Sequence, residues 1–256
     1  MDLREHLDFA AQTAHEAGRL TLGYFRTGEM RPELKPDDTP VTAADREAEK
    51  LIRARIGEKY PRHAVVGEEY GTDEGTDASH RWIVDPIDGT KAFVRGVPLY
   101  GVLIGLEIEG SCEVGAAYFP ALDEMVYAAT GLGCFCNGRR TKVSGAGTLA
   151  QGILSFTDVA SFEEHCREEA FRRLRRAAGG SRGWSDAYGH ALVATGRAEL
   201  MLDPVVNPWD CAPFPPILRE AGGYCGDWSG NETIYANEAL STTRTLLPEV
   251  LRLIEG

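Results

Sequence analysis

No stretch of this 256-residue sequence stays apolar long enough to cross a bilayer. Its opening, Met1-Asp2-Leu3-Arg4-Glu5-His6, lacks the charged-then-apolar order of a secretory signal. A cytoplasmic location is expected. Cysteine is sparse: the six, at positions 112, 134, 136, 166, 211 and 225, include no C-x-x-C pair. That argues against a zinc site or a disulfide framework and for reduced, packed thiols. Positive charge is also short. With 27 basic against 39 acidic residues the net charge is −12, a surface that repels nucleic acid and anionic membranes. There is no internal repeat and no low-complexity segment. What remains, 43% hydrophobic and 26% charged residues, is ordinary for a globular chain of one large domain or two smaller ones.

Helical spacing of Leu7, Ala10, Ala14, Ala17, Leu20 and Tyr24 predicts a first helix over about 2–25, with Asp2-x-x-Glu5 able to cap its start. Residues 27–40, rich in Gly, Pro and Asp, read as a mobile loop. A second helix begins at Thr42-Ala43-Ala44-Asp45 and ends before Pro61. The period then changes. Ala64–Val66, Trp82–Val84, Val102–Ile108, Glu113–Phe119 and Met125–Ala129 read as strands, and Asn137-Gly138 as a hairpin turn. A composition shift at Ser144–Gly147 marks the expected boundary between an N-terminal α+β half, 1–143, and a C-terminal α/β half, 144–256. Beyond it come a strand (Ile153–Phe156), a charged helix (about Phe162–Ala178), an apolar helix (Ala187–Thr195), a strand (Leu200–Leu202) and a helix near Cys211–Ala221. The alternation is that of an α/β protein, with carboxylates gathered where apolar strands end, the usual place to build a site.

In Trp82-Ile83-Val84-Asp85-Pro86-Ile87-Asp88-Gly89-Thr90 two carboxylates lie three residues apart on a Pro-stiffened turn after a buried strand. They can converge on hard cations, and an oxygen-only set of this kind suits magnesium. The Ile87 carbonyl can face the same ion. Gly89 allows a phosphate to approach the backbone, near amides at Thr90. The plainer alternative is a turn with Asp85 as a cap and Asp88 in solvent. Two further sets weigh against it: Glu68-Glu69 after the apolar run ending at Gly67, and Asp210 in Asn207-Pro208-Trp209-Asp210. Each has its own bland reading, an acidic loop for the first and a helix cap for the second. Three independent sets at element ends make joint coincidence much rarer.

Gly67-Glu68-Glu69, Asp85-Pro86-Ile87-Asp88-Gly89-Thr90 and Trp209-Asp210 resemble the metal-binding signatures of the inositol monophosphatase family. Thr39-Pro40-Val41-Thr42-Ala43-Ala44-Asp45 resembles its upstream Thr/Asp element. The matching segments run in family order from about residue 6 to residue 250. The resemblance implies a layered αβαβα sandwich, usually dimeric, that hydrolyses phosphate monoesters. It implies up to three Mg²⁺ held by Glu68, Asp85, Asp88, Asp210 and the Ile87 carbonyl. Asp45 and Thr90 would orient the attacking water, Gly89 and Thr90 would contact phosphate, and Glu69 would assist from behind the ligands. Asp45 also has a local reading, since Thr42-x-x-Asp45 is a capping box. Bound cations would resolve a tension in the composition, because an acidic surface otherwise repels a phosphorylated metabolite.

Gly183-Trp184-Ser185-Asp186-Ala187-Tyr188 and Asp203-Pro204-Val205-Val206-Asn207-Pro208-Trp209-Asp210 look like the histidinol-phosphate phosphatase branch of that family. Ser185, Asp186, Asp203 and Asn207 would then bind substrate. Asp186 and Asp203, on the side of the pocket away from the phosphate, could pair with a substrate's ammonium and imidazole; the alternative partner for either is Arg182 or Arg197. The rival functions are an inositol monophosphatase or a broader sugar or nucleotide phosphatase, and, in another class, a non-catalytic regulatory protein. The complete ligand set argues against the last. None of the six histidines shows ligand spacing along the chain, and His190, near the proposed site, reads as core. The arginine run Arg172–Arg176 reads as a solvated helix end rather than a nucleic-acid patch. After Asp210, three prolines in Cys211-Ala212-Pro213-Phe214-Pro215-Pro216-Ile217 depart from the regular helix that the family pattern expects.

Overall fold

The computed structural model describes residues 2–27, 33–34 and 40–256; Thr39 and much of the loop expected over 27–40 lie outside them. Helix α1 (Arg4–Leu22) buries Leu7, Ala10, Ala14 and Ala17, the face set by their spacing. Asp2 accepts the Arg4 N–H at 3.0 Å, but the N-cap residue is Leu3, without a side-chain cap bond, and Glu5 lies in the first turn. Short strands β1 (Glu33–Leu34) and β2 (Pro40–Val41) pair antiparallel ahead of α2 (Ala43–Lys59), which opens on the Thr42–Asp45 capping box.

An eight-stranded sheet follows from β3 (His63–Gly67), β4 (Gly71–Asp73), β5 (Asp77–Asp88), β6 (Gly101–Ile108), β7 (Ser111–Phe119), β8 (Glu124–Ala129), β9 (Gly133–Cys136) and β10 (Arg139–Arg140). Its order is β10-β9-β8-β7-β6-β5-β3-β4, antiparallel except for the β3–β5 pair. Helix α3 (Thr90–Val94) interrupts it after β5. A five-stranded sheet, β12-β11-β13-β15-β14, is built from β11 (Ile153–Phe156), β12 (Gly180–Gly183), β13 (Leu200–Asp203), β14 (Gly223–Gly226) and β15 (Ala239–Thr243).

The burial of β6, nearly continuous rather than alternating, means that both faces of the first sheet are covered. Leu7, Ala14, Ile52 and Ile56 of α1 and α2 pack on Val102, Ile104 and Val114 on one side. On the other, Leu103, Ala117 and Val126 meet α6 (Ala187–Ala194) and α8 (Phe214–Ala221). The second sheet sends Leu154, Leu200 and Leu240 outward against α4 (Val159–Glu164), α5 (Glu168–Ala177) and α9 (Leu247–Glu255). This is the layered αβαβα sandwich that the family resemblance implied. Among the described residues no helix is long and apolar enough to span a membrane.

Two expected helices are divided. The charged segment breaks between α4 and α5, where Cys166 takes a positive φ of 56°. The break lets Phe162 and Phe171 stack at 4.1 Å and lets Arg167 reach Glu238. The helix expected near Cys211–Ala221 becomes α7 (Pro208–Cys211) and α8, separated at Ala212–Pro213. Pro215 and Pro216 fall in the first turn of α8, where a missing N–H costs nothing. The Pro213 carbonyl lies against the first sheet, 2.0 Å from where a Cβ on Gly115 would be, so the junction packs there only because Gly115 has no side chain.

Candidate active site

Residues 85 and 88 differ by an odd number, so a regular strand would point them to opposite faces. The β5–β6 ladder prevents this. Its register shifts between Asp85 and Asp88, around Pro86, which has no N–H to give the ladder. Both side chains turn to one side, and Asp210 joins them from α7: carboxylate oxygens of the three lie within 4.8 Å of one another. Each is anchored by backbone. Asp85 Oδ1 accepts the Ile87 N–H at 3.0 Å, and Asp88 Oδ2 accepts the Ala187 N–H at 3.0 Å from the start of α6. Asp210 Oδ2 accepts the Asn207 N–H at 2.7 Å: Asn207, not Asp210, is the N-cap of α7, and Asp210 answers it from the first turn.

Asp85 and Asp88 are buried, at 2% and 6% exposure. Burial, then Glu68, Asp88 and Asp210, push the Asp85 carboxyl well above the usual range. Burial, then Asp186 and Asp210, do the same to Asp88. Burial first, then Glu68, Asp203 and Asp186, raise Asp210 to about 7 against the hold of the Asn207 amide. The charged groups acting most on each carboxylate are therefore other carboxylates. A divalent cation fits such a set, being hard, oxygen-seeking and of the missing sign.

Glu68, Asp85, Asp88, Thr90, Asp186 and Asp210 share the wall of one cleft of about 530 Å³, together with Ile87, Gly89, Ser185 and Asn207. Asp45, 1% exposed, stands behind Thr90. Its two oxygens divide the two roles open to it. Oδ2 takes the Thr42 N–H at 2.8 Å and completes the cap, while Oδ1 lies 3.5 Å from Thr90 Oγ1. Burial raises the Asp45 carboxyl to about 6, with Thr42 hydrogen bonds opposing and Glu68 adding to the rise. Gly89 sits at φ 76° before α3.

The inositol monophosphatase family profile matches residues 2–255. The chain belongs to the inositol monophosphatase family. It is 45% identical over 234 residues to the histidinol-phosphatase of Chlorobaculum parvum, covering 91% of this chain and 90% of that one. It is 32% identical to the inositol-1-monophosphatase of Mesorhizobium japonicum, over 96% of this chain and 94% of the other. The crystal structure of the extragenic suppressor protein suhB from Bartonella henselae superposes with a TM-score of 0.90 at 29% identity, covering 98% of each chain. The protein is a phosphoric monoester hydrolase of this family.

Within that family frame, the second half places its residues differently from expectation. Asp186 reaches the turn at Gly89: its Oδ2 would lie 3.0 Å from a Cβ there and sits 2.8 Å from Ser185 Oγ. Burial, then Asp203, raise the Asp186 carboxyl against the Ser185 hydrogen bond. Asp203 lines a recess of about 60 Å³ shared with Asp88, Asp186 and Asp210. Neither expected arginine is its partner. Arg197 pairs with Glu124, and Arg182 donates to the Ser181 carbonyl. Asp203 instead meets His190 Nε2 at 3.0 Å and accepts from Thr157 Oγ1 at 2.6 Å, while His190 Nδ1 lies 2.7 Å from Ser241 Oγ.

Thr157 and His190 were not found from the sequence as site residues. One signal for Thr157 was there. Strands β11, β12 and β13 run parallel, with Phe156 beside Gly183 and Leu202, so the residues at their C-terminal ends meet.

Proposed function

We propose that this enzyme hydrolyses L-histidinol phosphate to L-histidinol and phosphate, a step of histidine biosynthesis, with Mg²⁺ in the carboxylate cleft. The observation that carries the reading is the convergence of Asp85, Asp88 and Asp210 within 4.8 Å beside a further, half-buried carboxylate, Asp186, in one cleft. Glu68 and the Ile87 carbonyl complete the proposed ligand set, for up to three ions. Bound divalent cations would supply the positive charge that draws in the phosphate dianion and stabilises the leaving oxygen.

The chain's own groups do the rest. Asp45 keeps Oδ1 toward Thr90 while Oδ2 is fixed by the cap. When Thr90 passes its hydroxyl proton to Asp45, its oxygen takes a proton from a water in the cleft, so that the carboxylate ends protonated and the water oxygen is freed to attack phosphorus. Gly89 and Thr90 give the phosphate a backbone to rest on, and Glu69 supports the turn that carries Glu68. Asp186 meets the substrate's ammonium, whose charge offsets the cost of ionising a carboxyl that burial holds above its usual range. Asp203, braced by His190 and Thr157, sets the shape and charge of the recess behind it. Ser185 and Asn207 hold the walls. In this division residues 1–143 supply most of the metal site, and 144–256 the substrate wall and Asp210.

Inositol phosphates are the second reading, favoured by the Mesorhizobium relative. Phosphate release from histidinol phosphate, inositol 1-phosphate, fructose bisphosphate and adenosine bisphosphate separates the two. The proposal expects the highest kcat/KM for histidinol phosphate; a preference for inositol phosphate overturns the substrate assignment and leaves the phosphatase. We also propose a cytoplasmic homodimer. The six unpaired cysteines support a reducing compartment, and light scattering reads the dimer directly.

A further inference from the structure

Helix α2 carries three charged residues one turn apart on one face: Asp45, Glu49 and Arg53. Glu49 is fully buried, at 0% exposure, and is not among the residues that line the cleft. Its carboxylate is spent on the turn between β3 and β4 that presents Glu68. Oε2 accepts the Glu69 N–H at 2.8 Å, and Oε1 accepts the Tyr70 N–H at 3.2 Å and Arg53 Nε–H at 2.8 Å. Arg53 Nη2 holds the Gly71 carbonyl at the far side of the same turn. The approach is close enough that a Cβ on Gly67 would fall 2.2 Å from Glu49 Oε1.

We propose that Glu49 is a positioning residue for divalent-cation binding. It locks the Glu68 turn in register with Asp85, Asp88 and Asp210, so that one helix frames both the water-orienting carboxylate and the metal-binding turn. The inference rests on the metal reading given above. Groups that hold ligands from behind are worth roughly 10- to 100-fold in metal affinity. A carboxylate accepts on both oxygens, whereas a glutamine offers one acceptor and turns its NH₂ toward a backbone N–H.

Mg²⁺ binding by calorimetry on the full chain without substrate, alongside the Mg²⁺ dependence of phosphate release, tests this. Glu49→Gln should weaken Mg²⁺ binding about 10-fold in both readouts, with kcat at saturating Mg²⁺ within about 3-fold of the parent. Gly67→Ala should weaken binding in the parent. It should add little in a Glu49→Ala background, where the carboxylate that the new methyl would strike is gone. Unchanged affinity in Glu49→Gln overturns the proposal, as does a loss of kcat at unchanged affinity. Should Glu49→Gln fail to fold, additive losses in the Gly67→Ala and Glu49→Ala pair overturn it. A parent that binds no Mg²⁺ and turns over in chelator defeats the metal reading itself, a result distinct from the others.

Discussion

The two ends of α2 each gather ionisable side chains, and only one of them is a candidate for binding a cation. At its C-terminal end Tyr60, His63 and His80 stack at 4.9 and 4.5 Å, with His6 of α1 4.9 Å from Tyr60. His63, Asp77 and His80 even bring ligand atoms within 4.8 Å, the same limit that Asp85, Asp88 and Asp210 meet. But there the three candidate ligands already have partners within the chain, although His6 Nδ1 and the Tyr60 hydroxyl of the same stack are buried without a hydrogen-bond partner. Trp82 Nε1–H donates to His63 Nδ1 at 3.2 Å, and Asp77 is taken up by His80 at 3.1 Å and by Ser79. A ligating imidazole would instead give its second nitrogen's proton to an acceptor. At the N-terminal end carboxylates face carboxylates, with Lys91 and Arg95 on the same cleft wall, and the proposed cation would supply the rest of the balancing charge. Distance alone does not separate the two clusters. The chemistry left unanswered does.

The sharpest break in this comparison is Asp85→Asn. The amide keeps the 3.0 Å bond from Ile87 N–H and removes one negative charge. We expect kcat to fall on the order of 100-fold or more. In chelator the melting temperature at neutral pH should rise, because a carboxyl that burial and its acidic neighbours push well above its usual range, at a cost to the fold, is gone. A variant that loses activity and also melts lower without metal would mean that the carboxylates are structurally satisfied, like the imidazoles.

Asp45→Asn is next. Its carbonyl can keep the cap on Thr42 while the NH₂ faces Thr90, which loses the carboxylate and keeps only the Ile87 carbonyl, 3.1 Å away, as acceptor. The expected result is about a 100-fold fall in kcat, with stability changed by about 1 kcal/mol or less. A preserved kcat with a lowered melting temperature would reduce Asp45 to a cap.

For Asp186→Asn we expect a roughly 10- to 100-fold drop in kcat/KM on histidinol phosphate and a much smaller drop on p-nitrophenyl phosphate, which has no ammonium. Equal losses on the two esters would move Asp186 from the substrate to the support of Asp88.

The smallest effect belongs to the imidazole end. Burial, then His80, lower His63 to about 4 from an ordinary 6.5. Between those values the unfolded chain takes a proton that the folded one refuses, so this contribution is complete above pH 6.5 and is lost as pH falls toward 4. His63→Gln keeps an acceptor for Trp82 and does not titrate. Its melting temperature should fall less than the parent's between pH 7 and 5, by about 2 °C or less. Parallel melting curves for variant and parent would show that His63 carries a proton in the fold.

Much of the frame was legible because it is local. The α2 cap, the strands at Val102–Ile108 and Ile153–Phe156 and the Asn137-Gly138 turn each follow from neighbouring residues. The carboxylates were legible too, since Asp85 and Asp88 share one motif. What escaped depends on partners far along the chain. Asp203 looked unpaired because His190 reaches it through the packing of α6 on the second sheet, and Glu49 looked like any helical glutamate because its partners are backbone amides about 20 residues away. The break at Cys166 follows from the meeting of two phenylalanine rings and the reach of Arg167 to Glu238, neither of which periodicity encodes.

One titration tests the central claim most directly: phosphate release from histidinol phosphate by enzyme stripped with chelator, as Mg²⁺ is added back. The account predicts no turnover in chelator and full recovery with Mg²⁺. Undiminished turnover in excess chelator would contradict it.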